Sequence, residues 1–137
     1  MSGNTKYTTV AGITPLRQAI SDDLQKRKNV NYAPNQIVVT NGAKQAIIQA
    51  LMAVVEPEDD VLIPAPYWTS YPDMVRLCRA NPVIMETRDI NNYKIDPIML
   101  REVLQGNTKI KSIIIFTLCN SAWCCYDRTF VSNNFKL

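Results

Sequence analysis

The sequence predicts an α/β fold with a mostly parallel sheet and flanking helices. Short strand-like runs alternate with helix-length segments along the chain. Those runs, such as Val61-Leu62-Ile63, are apolar at successive positions rather than at every second one. Strands of that kind must be covered on both faces, which a parallel sheet between helices provides.

Thr14 and Pro15 fit the N-cap and N1 of a first helix reaching about Lys26, with Leu16, Ala19, Ile20 and Leu24 as its core face. After the polar loop 29–35 comes a predicted strand, Ile37–Thr40, then a helix from about Ala43 to Val55. Ile47, Leu51, Val54 and Val55 form the apolar stripe of that helix, and Glu56-Pro57 ends it. A buried strand at Val61–Ile63 follows and stops at Pro64. Ser70 with Asp73 resembles a capping box opening a third helix, which turns Met74, Val75, Leu77 and Cys78 inward. Val83–Met85 is a further strand, Asp96-Pro97 opens a helix ending at Gly106, and Lys111–Leu118 is a last apolar strand. There are no internal repeats.

At 137 residues the chain has the size of one domain with one core. A formal charge of +3, with basic residues scattered rather than striped, argues against nucleic acid as a partner. Apolar runs such as 112–116 are far too short to span a bilayer, so no membrane partner is expected. The start of the chain has no signal or transit pattern, leaving a cytoplasmic location as the default expectation. Of the four cysteines, Cys78 reads as a buried small hydrophobe. Cys119, Cys124 and Cys125 lack zinc-site spacing and histidine is absent, so no metal site is expected. Without histidine there is also no Ser–His or Cys–His nucleophilic pair. Chemistry here would need a bound cofactor.

One stretch points to such a cofactor. Gln36 to Gln49 passes from an apolar run through Asn41-Gly42 directly into an amphipathic helix. Amide N–H groups at Gly42, Ala43 and Lys44 are then expected to face outward, and a helix start of that kind favours anions. Lys44 opposes the helix dipole, which a nearby phosphate would offset. An ordinary strand–turn–helix with a surface lysine fits the same residues. In parallel sheets ligands gather at the carboxyl ends of strands, which puts Trp68 in the loop 65–69 on the same rim. Trp68 is then a ring platform for a planar phosphorylated ligand, or a core or interface tryptophan.

Residues 7–20, 38–46 and 61–73 contain Tyr7-Thr-Thr-Val-Ala-Gly12, Thr40-Asn-Gly-Ala-Lys44 and Pro64-Ala-Pro-Tyr-Trp-Thr-Ser-Tyr-Pro-Asp73. In order and spacing these resemble the class I/II pyridoxal-phosphate aminotransferases, in particular the aspartate and prephenate aminotransferase branch. The resemblance covers about residues 7–118 and implies a partial large domain of the fold-type I transferases over 1–118. It implies pyridoxal 5′-phosphate as cofactor, an amino acid such as aspartate or glutamate and a 2-oxo acid as substrates, and a homodimer. By resemblance Ala43 and Lys44 hold the cofactor phosphate, Gly42 permits close approach, and Trp68 stacks on the pyridine ring. Tyr7 reaches the neighbouring subunit's cofactor phosphate, and Gly12 lies near the substrate carboxylate.

After Leu118 the family pattern of Asn-Pro-x-Asn-Pro-Thr-Gly is replaced by Cys119-Asn-Ser-Ala-Trp-Cys-Cys-Tyr-Asp-Arg128, and 119–137 reads as a non-family tail, as from another frame or an unspliced intron. The Schiff-base lysine, the aspartate facing the pyridine nitrogen and the arginine for the substrate carboxylate find no match among these residues. No catalytic residue is therefore assigned, and this stretch alone is expected to be inactive. A non-catalytic fragment pairing with a full-length relative is one alternative; a carbon–sulfur lyase or cyclopropane-carboxylate synthase relative is another.

Overall fold

The computed structural model describes residues 5–116. These fall into two compact units divided between Ile47 and Ile48, inside a helix.

The first unit holds helix α1 (Thr14–Lys28), a 3-10 turn at Pro34–Gln36 and the start of helix α2 (Ala43–Val54). Helix α1 begins one residue earlier than its sequence signal suggests: Ile13 is the N-cap and Thr14 the first helical residue. It ends at Asn29, which adopts φ 55° and sends its N–H back to the Gln25 carbonyl. A short polar side chain tolerates that left-handed cap, and Lys26, Arg27 and Lys28 complement the negative end of the dipole. The expected core face of α1 is not realised, since none of its residues is buried and Leu16 remains 42 % exposed. Amphipathic spacing marks a face that can be covered but does not supply the cover.

Residues 37–40 do not form the expected strand. Ile37 is extended at φ −110°, ψ 129°, and the Val39 N–H donates to the Ala11 carbonyl at 3.0 Å. One such bond does not build a ladder, so β-type composition here yields only an extended segment.

The second unit is built on three parallel strands, β1 (Asp60–Pro64), β2 (Asn81–Met85) and β3 (Ile110–Ile113), in the order β2-β1-β3. Helix α3 (Ser70–Leu77) connects β1 to β2, and α4 (Pro97–Gly106) precedes β3. Val61, Leu62 and Ile63 are each 0 % exposed. Successive strand residues point to opposite faces, so β1 is covered on both, as its apolar run requires. Leu62 packs with Met85, Ile95 and Leu100, flanked by Val83, Val103, Ile110 and Ile113. β3 is shorter than expected, although Ile114 N–H still reaches the Leu62 carbonyl at 3.0 Å; the end of that expectation, Leu118, lies outside the described residues, as does the tail 119–137.

Met74 and Val75 in α3 and its C-cap Cys78 are buried, but Leu77 is 61 % exposed. Leu51 in α2 and Val55 just after it are buried, while Val54 is 52 % exposed. A helix rotates 100° per residue, so neighbours of a buried position can swing clear of a narrow contact. The capping box does not form either: Thr69 is the N-cap of α3 and makes no side-chain cap bond. In α4 the sequence signal holds, with the Asp96 carboxylate accepting from Ile98 N–H at 2.8 Å.

Candidate functional site

Around the start of α2 the chain folds tightly. Gly42 N–H donates to the Thr40 carbonyl at 2.9 Å, and Thr40 Oγ1 donates to the Gly42 carbonyl at 3.0 Å. Asn41 N–H donates to Gln45 Oε1 at 2.7 Å. The outward-facing set expected at 42–44 is thus corrected at one member: the Gly42 amide is consumed by an i to i+2 turn. Gln45 was not singled out from the sequence, although a Gln shortly after an Asn-Gly turn is a capping pattern that reaches back to the preceding amides. Gly42 itself has φ +86°, and a Cβ there would meet nothing within 4 Å. The backbone at the head of α2 is therefore open to approach from outside, and Ala43 and Lys44 are exposed beside it.

Gly12 is held differently. Its N–H bonds to Thr9 O at 2.9 Å and its carbonyl accepts from Thr9 Oγ1 at 2.6 Å, with φ at +96°. A Cβ on Gly12 would lie 2.9 Å from both Cβ and Cγ2 of Val39. The glycine is required by backbone conformation and by close packing on Val39, a reason that no local sequence signal carries. Tyr7 is fully exposed. Tyr7, Gly12, Thr40, Asn41 and Gln45 all line one open cavity of about 390 Å³ in the first unit. The unit thus brings three expected features to one place: the Tyr7 segment, the Gly12 loop and the Asn41 turn.

Trp68 belongs to the second unit, in the loop leaving β1, and is 37 % exposed. It meets Tyr71 edge-on, with ring centroids 5.6 Å apart and planes at 86°. Tyr71 in turn stacks on Phe116 at 5.5 Å and 26°. The loop is pinned by Ala65 N–H donating to the Met85 carbonyl at 2.9 Å and by Thr87 Oγ1 donating to the Ala65 carbonyl. The Ala65–Pro66 peptide is cis. Trp68 is therefore neither a core tryptophan nor a loose one: an aromatic partner steers it while part of it faces solvent. Phe116 lies 45 residues beyond Tyr71, so no local sequence signal links it to the Trp68 loop.

Cys78 is buried and its thiol points to the Ile48 carbonyl at 3.8 Å. Burial pushes its pKa up, as for a small hydrophobe rather than a nucleophile. Among the described residues no group of three or more Cys, Asp or Glu is placed to hold a metal ion, and no helix is long and apolar enough to cross a membrane.

The family model for aminotransferases of class I and II matches residues 1–122. The chain belongs to this aminotransferase family. A bifunctional aspartate aminotransferase and glutamate/aspartate-prephenate aminotransferase of Petunia hybrida is 45 % identical over 92 % of the chain and 26 % of the relative. Aspartate aminotransferase of Bacillus subtilis is 38 % identical over 78 % of the chain and 27 % of the relative. The chain therefore spans about a quarter of the length of these curated relatives. Among solved structures, the aspartate aminotransferase of Rhizobium meliloti superposes with a TM-score of 0.88 at 30 % identity, over 95 % of this chain and 32 % of that one. An aspartate aminotransferase of Thermus thermophilus with maleate gives 0.88 at 30 % identity, over 94 % and 33 %. The family resemblance and the parallel α/β fold expected from the sequence are both borne out.

Proposed function

We infer that this aminotransferase chain forms part of a site for pyridoxal 5′-phosphate, serving amino-group transfer between an amino acid and a 2-oxo acid. The observation that carries the inference is the open head of α2, where a glycine at φ +86° leaves clear space before a 12-residue helix. A helix start with unfilled space around it fits an anion, because amide N–H groups and the dipole both favour negative charge there. The partly exposed Trp68 ring fits a flat aromatic group. The residues present are thus of the right chemistry for a phosphorylated pyridine.

In this reading Ala43 and Lys44 hold the phosphate, by a main-chain amide and by charge, while Gly42 keeps the approach clear. Trp68, braced edge-on by Tyr71, fixes the tilt of the ring. Tyr7, fully exposed, suits a side chain offered to the cofactor phosphate of a second subunit in a homodimer. Gly12 shapes the loop near the substrate carboxylate. When bound, the cofactor supplies a ring that draws electrons from the substrate's reacting carbon. Aspartate and prephenate in the names of the relatives, and the dicarboxylate maleate with one of them, favour a dicarboxylic amino acid such as aspartate or glutamate as donor.

Ala43→Pro tests the phosphate assignment. Proline is tolerated at the first helical position but lacks the N–H. The variant should retain its far-UV circular dichroism and bind pyridoxal phosphate more weakly, by about 0.5–1.5 kcal/mol for one lost hydrogen bond and more for a charge-assisted one. Unchanged binding with unchanged structure would remove Ala43 from the site.

A further inference from the structure

We propose that Asn41 is a site of spontaneous deamidation, and that its conversion places a carboxylate at the head of α2. Asn41-Gly42 is the one Asn-Gly pair in the sequence. Deamidation begins when the following residue's main-chain nitrogen attacks the asparagine side-chain carbonyl carbon, and a glycine in that place offers no side chain to hinder it. The structure adds three conditions. Asn41 is exposed, and among the described residues its carboxamide makes no hydrogen bond that would hold it in place. The space where a Gly42 side chain would sit is empty to 4 Å, so water has access to the turn. The bond that must open before attack, Gly42 N–H to the Thr40 carbonyl, spans only two residues, a turn weaker than a helical or ladder bond.

The step balances without an oxidant or reductant. Hydroxide removes the Gly42 amide proton, the nitrogen bonds to Asn41 Cγ, and the side-chain nitrogen leaves as ammonia, closing a succinimide ring. Water then adds to one of its two carbonyls and breaks that carbon–nitrogen bond. Opening at Cγ gives aspartate; opening at the main-chain carbonyl gives isoaspartate, whose main chain is one carbon longer. Other asparagines lack this combination. Asn29 and Asn31 are exposed but precede Val30 and Tyr32, and Asn81 precedes Pro82, which has no amide proton. Asn107 has its carboxamide bound to Asp60 Oδ2 at 2.6 Å.

Either product adds negative charge where the phosphate is assigned, so conversion should weaken cofactor binding; this consequence rests on the function proposed above. The test is incubation of the purified full chain at mildly alkaline pH, followed by peptide mapping and isoaspartate-specific methylation. The expected result is an amide-to-acid mass gain at Asn41, with methyl acceptance, while Asn29 and Asn31 stay intact. Asn41→Gln should abolish the methyl acceptance. Conversion of Asn41 no faster than that of Asn29 or Asn31 would overturn the proposal. Asn41→Asp reports the consequence separately: weaker pyridoxal-phosphate binding than the starting chain supports it, and equal binding refutes it. A starting chain that fails to bind the cofactor sinks the functional reading, while the mapping still decides the modification.

Discussion

Asp60 carries a carboxylate into the base of the sheet, 8 % exposed, where Asn81 Nδ2 donates to one oxygen at 3.2 Å and Asn107 Nδ2 to the other at 2.6 Å. Its own N–H donates to the Lys109 carbonyl at 3.0 Å, so one residue ties β1 to the entries of β2 and β3. Removing the acceptor leaves the half-buried Asn107 amide without its partner, while Asn81 Nδ2 keeps the Glu58 carbonyl at 3.3 Å, and Asp60→Ala should cost about 1–3 kcal/mol in urea unfolding. A loss under half a kilocalorie, roughly the scale of a surface change, would show the network to be idle. Nothing local announces this role, since the partners lie 21 and 47 residues away. Gly12 is comparable: its tripeptide reads as an ordinary turn, and only the 2.9 Å approach to Val39 gives the requirement. Gly12→Ala should cost about 1–3 kcal/mol through positive-φ strain and the clash. Cys78, by contrast, was legible from its apolar surroundings. Its raised pKa keeps the folded thiol neutral where the unfolded thiol already ionises. Stability from this group is therefore complete below the ordinary thiol range and falls as pH rises through it. Alkylation of Cys78 should accordingly follow unfolding, and rapid labelling of the folded chain would contradict its burial.

Among elements, the short β1 strand and α4 were readable because each carries its own signal: a run of apolar residues needing two covers, and an Asp-Pro helix entry. The α3 helix was readable in extent but not in rotation. Met74 and Leu77 look equivalent by spacing, yet one is 4 % and the other 61 % exposed. Met74→Ala should lose about 2–5 kcal/mol, and Leu77→Ala within about 0.5 kcal/mol. Equal losses would mean that α3 packs in another rotation. The 37–40 segment failed as a strand because β propensity describes a surface seeking a ladder, and here the segment forms one bond to Ala11. Tyr71 is where α3 meets the candidate site: it contacts Trp68 on one side and Phe116 on the other. Tyr71→Ala should weaken the near-ultraviolet circular dichroism of Trp68 and reduce cofactor affinity, whereas Tyr71→Phe should keep both.

At the scale of the whole molecule, the alternation of strands and helices sufficed for the parallel α/β class, and three short motifs in order sufficed for the family. The assembly of each site half was less legible. In the first unit, Tyr7 and Gly12 come to line one cavity with Val39, Thr40, Asn41 and Gln45, where the Val39 to Ala11 bond and the Gly12 turn bring the two stretches together. In the second, the aromatic series Trp68, Tyr71 and Phe116 depends on β3 lying beside β1. The most direct test of the proposed cofactor site uses Trp123→Phe, which leaves Trp68 as the sole tryptophan. Its emission would be followed during titration with pyridoxal phosphate and, separately, with pyridoxal. Saturable quenching by the phosphorylated form, with pyridoxal far weaker, is the expected outcome. Indistinguishable titrations, or no saturable quenching by either compound, would contradict a phosphate held at the head of α2 and a ring held against Trp68.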